Sequence, residues 1–290
     1  MSSFVKIIKQ DINAACKALE EDEFDLMNIF ANRITSNAYF IDNKRLTLPG
    51  VLIKEVAFDF ISLRKIKGDI SSIKSIGKDF CDRLKKLIHE ENVEIIGMWK
   101  SFYEYKTKVR KLQVTKIEQN IYTDNIEFCD AVITKLVTSV NDEQLKKAVN
   151  GETRLIKGFI NEIGRVISVH GTKPSQLSFL ILLKMLDRNI DYLTYMPKKA
   201  DSDVEEIMKL AKQVFQFWSS SKSKKEDDIY TEATDILGNL TILWRKKFIS
   251  YLDPYRHIVA EEKNVEILPL EAKKKIGETI AKAIQKEVTH

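Results

Sequence analysis

Apolar residues recur three and four positions apart along most of this chain, with polar and charged residues between them, the period of helices buried along one side. The longest such stretch spans 141–170, where Leu145, Ala148, Val149, Ile156, Phe159, Ile160, Ile163, Val166 and Ile167 fall in one stripe about 120° wide at about 100° per residue. The pattern predicts a long central helix, capped by Asn141 and stopped by Gly171 and Pro174. It runs through the turn signal Asn150-Gly151, because Leu145 and Val149 keep phase with Ile156 and Ile163. Glu152 and His170 fall within the stripe and are expected to be partly buried, while Gly151 and Gly158 line up on the opposite side, where another helix can approach closely.

The same period predicts further helices in order. Val5 to Leu19 make the first, ending near Glu21; Asp22 caps a second that carries Met27, Phe30, Ile34 and Ala38. Leu48-Pro49-Gly50 opens a third with Val51, Leu52, Glu55, Val56, Phe58, Asp59, Phe60 and Leu63 in its pattern, and Gly68-Asp69 precedes a fourth through Ile73, Phe80 and Leu84. A fifth starts at Asn92, and Thr123 or Asp124 caps a sixth. After Pro174, residues Leu177 to Leu186 are apolar on nearly every side, which marks a helix surrounded by others and packed on the central one. Asp201 or Ser202 caps the next, a polar stretch at 219–228 predicts an exposed flexible loop, and helices from Ile229 to Tyr251 and from Pro269 onward complete the series. The expected fold is all-α: a multi-helix bundle or array of about eleven helices around a long central helix. It forms either one domain over 1–290 or two closely packed halves meeting at 120–124.

Composition supports this reading. Ten glycines and five prolines in 290 residues are few for a fold of many short strands, and 44% hydrophobic with 31% charged residues is enough to bury a core. Cys16, Cys81 and Cys129 lack the pairing of a disulfide framework or a zinc site. With no signal-like N-terminus and no apolar run of spanning length, the expected location is the cytoplasm, without membrane contact.

Charge narrows the partners only a little, since 47 basic and 42 acidic residues leave +5. The most positive segment is the basic helix 99–116, where Lys100, Lys106, Lys108, Arg110, Lys111 and Lys116 are interleaved with Trp99, Phe102 and Tyr103. Bases beside aromatics suit phosphate contact and base stacking, so these six are the candidate nucleic-acid-binding residues; the competing expectation is a solvated face with its aromatics in the core. The acidic run Glu20 to Asp25 lacks regular cation-ligand spacing. The acid pairs Asp203 with Glu206 and Glu232 with Asp235 suit the first turns of their helices better than a shared Mg²⁺. No metal or cofactor is expected.

Glycine-rich phosphate loops, G-x-S-x-G and H-E-x-x-H are absent from the sequence. Arg165-Val-Ile-Ser-Val-His170 resembles the arginine-to-histidine motif of HEPN-domain ribonucleases, with Val166 where that family commonly has a polar residue. The resemblance covers six residues and implies metal-independent RNA cleavage across a dimer, with His170 as general acid or base and Arg165 on the phosphate. Arg83 to His89 fits the same loose spacing. On one helix, residues five apart differ by about 140°, which sets His170 in the apolar stripe and Arg165 away from it. The leading expectation is therefore a binding, adaptor or regulatory protein with a protein partner or a second copy of itself. Nucleic-acid binding through 99–116 and an HEPN-like endoribonuclease are the alternatives.

Overall fold

The computed structural model describes residues 2–65, 70–89, 92–114, 125–171, 173–195 and 201–252. Among them are eleven α-helices, one 3-10 turn and no strand: α1 Ser2–Glu20, α2 Phe24–Phe40, the turn Lys44–Leu46, α3 Thr47–Lys65, α4 Ser71–Lys86, α5 Ile95–Val114, α6 Ile126–Thr138, α7 Asp142–Val149, α8 Leu155–His170, α9 Pro174–Tyr195, α10 Asp201–Ser221 and α11 Glu226–Leu252. The chain is an all-α helical array. The helix expected from Pro269 onward lies outside the described residues.

The expected continuous helix over 141–170 is two helices. Asn141 starts α7 with a reciprocal capping box: its side chain accepts from the Gln144 N–H at 2.8 Å, and Gln144 Oε1 accepts from the Asn141 N–H at 3.0 Å. α7 ends at Val149, and Gly151 takes φ 76°. That left-handed conformation is cheap for glycine and closes the turn that phase matching alone had bridged. Glu152 is accordingly exposed rather than part of a buried stripe, and Gly158 faces open space with nothing within 4 Å of an added Cβ. The array still has about the expected number of helices, because this split adds one.

The deeply buried helix is α9. Leu177, Phe179, Ile181, Leu182, Leu183, Leu186 and Leu193 are each at most 4% exposed, and α9 packs against α8, α10 and α11. α11 lies beside it and also touches α2, α3, α5 and the 3-10 turn, so the helices on both sides of 120–124 share one apolar core. α2 and α3 pack most closely, because Gly50 lets the α3 backbone approach Ala31 and Thr35: a Cβ at Gly50 would lie 2.7 Å from the Ala31 carbonyl oxygen. Ser219 to Ser221 belong to α10 and 226–228 to α11, which leaves 222–225 as the connection. None of the helices among the described residues is long and apolar enough to cross a membrane.

Candidate functional site

Three pairs of polar residues, each one helical turn apart, converge from three helices. α3 supplies Glu55 and Asp59, α5 supplies Lys106 and Arg110, and α9 supplies Lys184 and Arg188. Four-residue spacing puts both members of a pair on one face of a helix. Glu55 is 1% exposed and accepts from Lys184 and, at 3.2 Å, from Arg188. Asp59 accepts from Lys106 and from the Tyr105 hydroxyl at 3.2 Å. Arg110 donates to the carbonyls of Ser168 at 3.4 Å and Val169 at 3.2 Å, so it satisfies the C-terminal end of α8 and meets the negative pole of that helix.

Burial alone would raise the Glu55 carboxyl, but Lys184, Arg188 and Lys106 outweigh it and hold it down to about 2. Burial likewise pulls Lys184 down, and the Glu55 charge more than restores it, so its ammonium is raised above its ordinary value. The Tyr105 phenol is raised by burial and by Asp59. These groups form one network in which the neutral Tyr105 hydroxyl supports the paired charges.

Five members of the network line a half-open cleft of about 360 Å³ between α3, α5, α8 and α9. Glu55, Asp59, Lys106, Arg110 and Lys184 line it together with Leu63, Val109, Ile160, Ile167, Leu177, Leu180 and Ile181. Gly164 forms part of the α8 wall, and a Cβ added there meets nothing within 4 Å. A concave space with apolar walls and a few convergent polar groups has the chemistry and size of a small-ligand site.

The five described basic candidates of 99–116 do not lie along one open stripe. Lys100 pairs with Asp227 of α11 at 3.1 Å, Lys106 is held by Asp59, and Arg110 is turned onto α8. Lys108 and Lys111 are exposed, and Lys116 lies outside the described residues. Trp99, Phe102 and Tyr105 are each at most 2% exposed; Trp99 stacks on Tyr230 with centroids 5.7 Å apart. α5 uses most of its charges and rings to tie neighbouring helices together.

Arg165 and His170 occupy different surroundings. Arg165 is on the solvent side, bound through two nitrogens to Glu162 at 2.7 and 3.1 Å. His170 is half-buried edge-on to Phe128, centroids 4.7 Å apart, with its buried Nδ1 lacking a hydrogen-bond partner. No contact joins the two side chains among the described residues. Arg83 pairs with Asp79 and Glu104, and His89 is exposed.

Four of the other candidate acids are paired with cations. Glu20 pairs with Lys78, Asp22 with Lys74, Asp203 with Lys247, and Glu232 with Lys224. Among the described residues no group of three His, Cys, Asp or Glu side chains is placed to hold a metal ion.

Glu55 and Asp59 do appear in the sequence pattern of the third helix, where they share the register of apolar neighbours such as Leu52 and Val56. The partners of Glu55, Lys184 and Arg188, are 129 and 133 residues away, and those of Asp59, Tyr105 and Lys106, are 46 and 47 away, so no local spacing joins them. No family model matches the chain, and comparison with curated proteins and with solved structures gives no significant match.

Proposed function

We propose that this is a binding protein whose cleft between α3, α5, α8 and α9 takes a small amphipathic organic anion. The observation that carries the reading is a cleft lined by apolar side chains together with five charged ones from three helices. The ligand's apolar body lies along Ile160, Ile167, Leu180 and Ile181, and its head meets the cationic side chains of the lining. Lys106, Arg110 and Lys184 outnumber Glu55 and Asp59 by one in the lining, which favours a head with a single negative charge. Because the carboxylates already bind cations, the site recognises charge and shape and acts through binding. Ligand occupancy across four helices would couple to the surface these helices present to a protein partner.

Anilinonaphthalene sulfonate, an amphipathic anion, tests the reading by fluorescence titration against the folded protein. The expected result is saturable binding at one site, kept in Gly164→Ala and lost in Gly164→Phe, whose ring grows into the cleft from an unobstructed position. The helical circular dichroism should be unchanged in both variants. Equal binding in all three proteins would overturn the proposal.

A further inference from the structure

On the side of Glu55 turned toward α11, two more cationic groups join Arg188, with Glu55 and Asp187 as the carboxylates that act on Arg188. Lys54 of α3, Arg188 of α9 and Arg245 of α11 are interleaved with two aromatic rings. The Phe58 ring lies 6.0 Å from Lys54 Nζ and 5.3 Å from the Arg188 guanidinium carbon. Trp244 lies 5.3 Å from Lys54 Nζ and 4.3 Å from the Arg245 guanidinium carbon. Lys54 Nζ and Arg245 Nη2 donate to the same atom, Asn32 Oδ1, at 2.9 and 3.3 Å.

Neutral acceptors and ring faces solvate these cations without cancelling their charge. Arg245 is 5% exposed, and its hydrogen bonds go to Asn32 and Thr35 through Nε and Nη2. Arg188 reaches Glu55 with Nη2 and the Met185 sulfur with Nη1, at 3.9 Å. Glu55 already serves Lys184 as well, and it is the carboxylate that acts on Lys54 among the described residues. The arrangement leaves donors of Lys54 and the Nη1 group of Arg245 without an acceptor among the described residues. Lys54 is half-buried, Arg188 is 21% exposed and Phe58 36% exposed, so the cluster is reached from solvent.

We propose that Lys54, Arg188 and Arg245 form a binding site for a tetrahedral oxyanion of the phosphoryl class, with the Phe58 and Trp244 rings flanking the bound group. A tetrahedral dianion supplies several acceptors and balances the charge that Glu55 leaves over, and the Lys54 ammonium with the Nη1 groups of Arg188 and Arg245 is the donor set that meets it, the Arg188 Nη1 exchanging its weak sulfur contact for an oxygen. Burial, together with Arg188 and Arg245, pushes the Lys54 ammonium down to about 7, with Glu55 opposing. A bound oxyanion favours the charged form of Lys54, so binding tightens as pH falls through that value. This site and the cleft share Glu55 as a wall but are separate in their ligand contacts.

Isothermal titration with sulfate, whose charge is constant near neutrality, tests the site at fixed ionic strength. The expected result is saturable heat, at least about tenfold weaker in Lys54→Met, and weaker at pH about 8 than at about 6. Gly164→Phe should leave it unchanged, which separates this site from the cleft. In the wild-type chain, sulfate should also slow acylation of Lys54, read by peptide mass spectrometry. Inorganic phosphate and a nucleoside monophosphate should bind likewise; tighter binding of the nucleotide places a base against the rings, and equal binding makes free phosphate sufficient. Absence of saturable heat in the wild type, sulfate binding unaffected by pH and by Lys54→Met, or acylation of Lys54 in the wild type unaffected by sulfate, would overturn the proposal.

Discussion

Replacing Glu55 by glutamine keeps the shape of the side chain but leaves Lys184 and Arg188 facing a neutral group inside the protein. Breaking one side of a buried ion pair costs about 3–5 kcal/mol, because the remaining charges are desolvated without compensation. Glu55→Gln should therefore lower the urea midpoint strongly at neutral pH. The acid limb of stability provides a second reading. The Glu55 carboxyl is held at about 2 against an ordinary 4.5, so its contribution of about 3 kcal/mol is complete above the ordinary value and disappears as pH falls from there toward 2. That component of acid destabilisation should be missing in the glutamine variant, as measured by urea unfolding at stepped pH. Periodicity puts Glu55 among the residues of the third helix but marks Glu152 and His170 as the polar groups expected to be partly buried; Glu55 is the buried carboxylate and Glu152 is exposed. What separates them is tertiary: Glu55 meets two cations of α9, whereas Glu152 sits beyond the end of α7. The cleft was legible only as a stretch of α9 apolar on all sides, since its charged lining is assembled from residues far apart in the chain.

Glycine substitutions distinguish the helices as observed from the single helix that periodicity predicts. In a continuous 141–170 helix, Gly151→Ala would be stabilising through helix propensity. With Gly151 at φ 76°, alanine should instead cost about 1 kcal/mol, because its Cβ crowds the neighbouring carbonyl in the left-handed region. Gly158→Ala and Gly164→Ala meet no atom within 4 Å and lie inside α8, so each should gain up to about 1 kcal/mol. Gly50→Ala has the opposite outcome: contact with the Ala31 carbonyl at 2.7 Å forces α2 and α3 apart, at a cost of about 1–3 kcal/mol. Thermal melts of the four variants should give this order of signs, and a stabilising Gly151→Ala would restore the continuous helix. Most helices were legible because one-sided burial imposes a 3.6-residue period, and Asn141 was legible because a cap acts locally. The break had its own signal in Asn150-Gly151, which phase matching outweighed, because two helices that bury the same side can keep phase across a short turn.

At the scale of the molecule, the contacts of α11 decide whether the parts before and after 120–124 unfold together. Trp99 Nε1 donates to Thr234 Oγ1 at 2.9 Å across 135 positions, and its ring stacks on Tyr230. Arg245 binds Asn32 and Thr35 of α2, more than 200 positions away. These links and the shared apolar core make unfolding of either part expose the surface of the other. Far-ultraviolet circular dichroism and tryptophan fluorescence should therefore follow one coincident transition. Thr234→Val removes the acceptor from a buried indole N–H at a cost of about 1–2 kcal/mol, or about 2–8 °C in melting temperature for a core of this size. Trp218 reports independently from α10, where it is 1% exposed. If the chain unfolds as a unit, the variant shifts both spectroscopic transitions by the same amount; two transitions, of which Thr234→Val moves one, would divide the chain into separately folding halves.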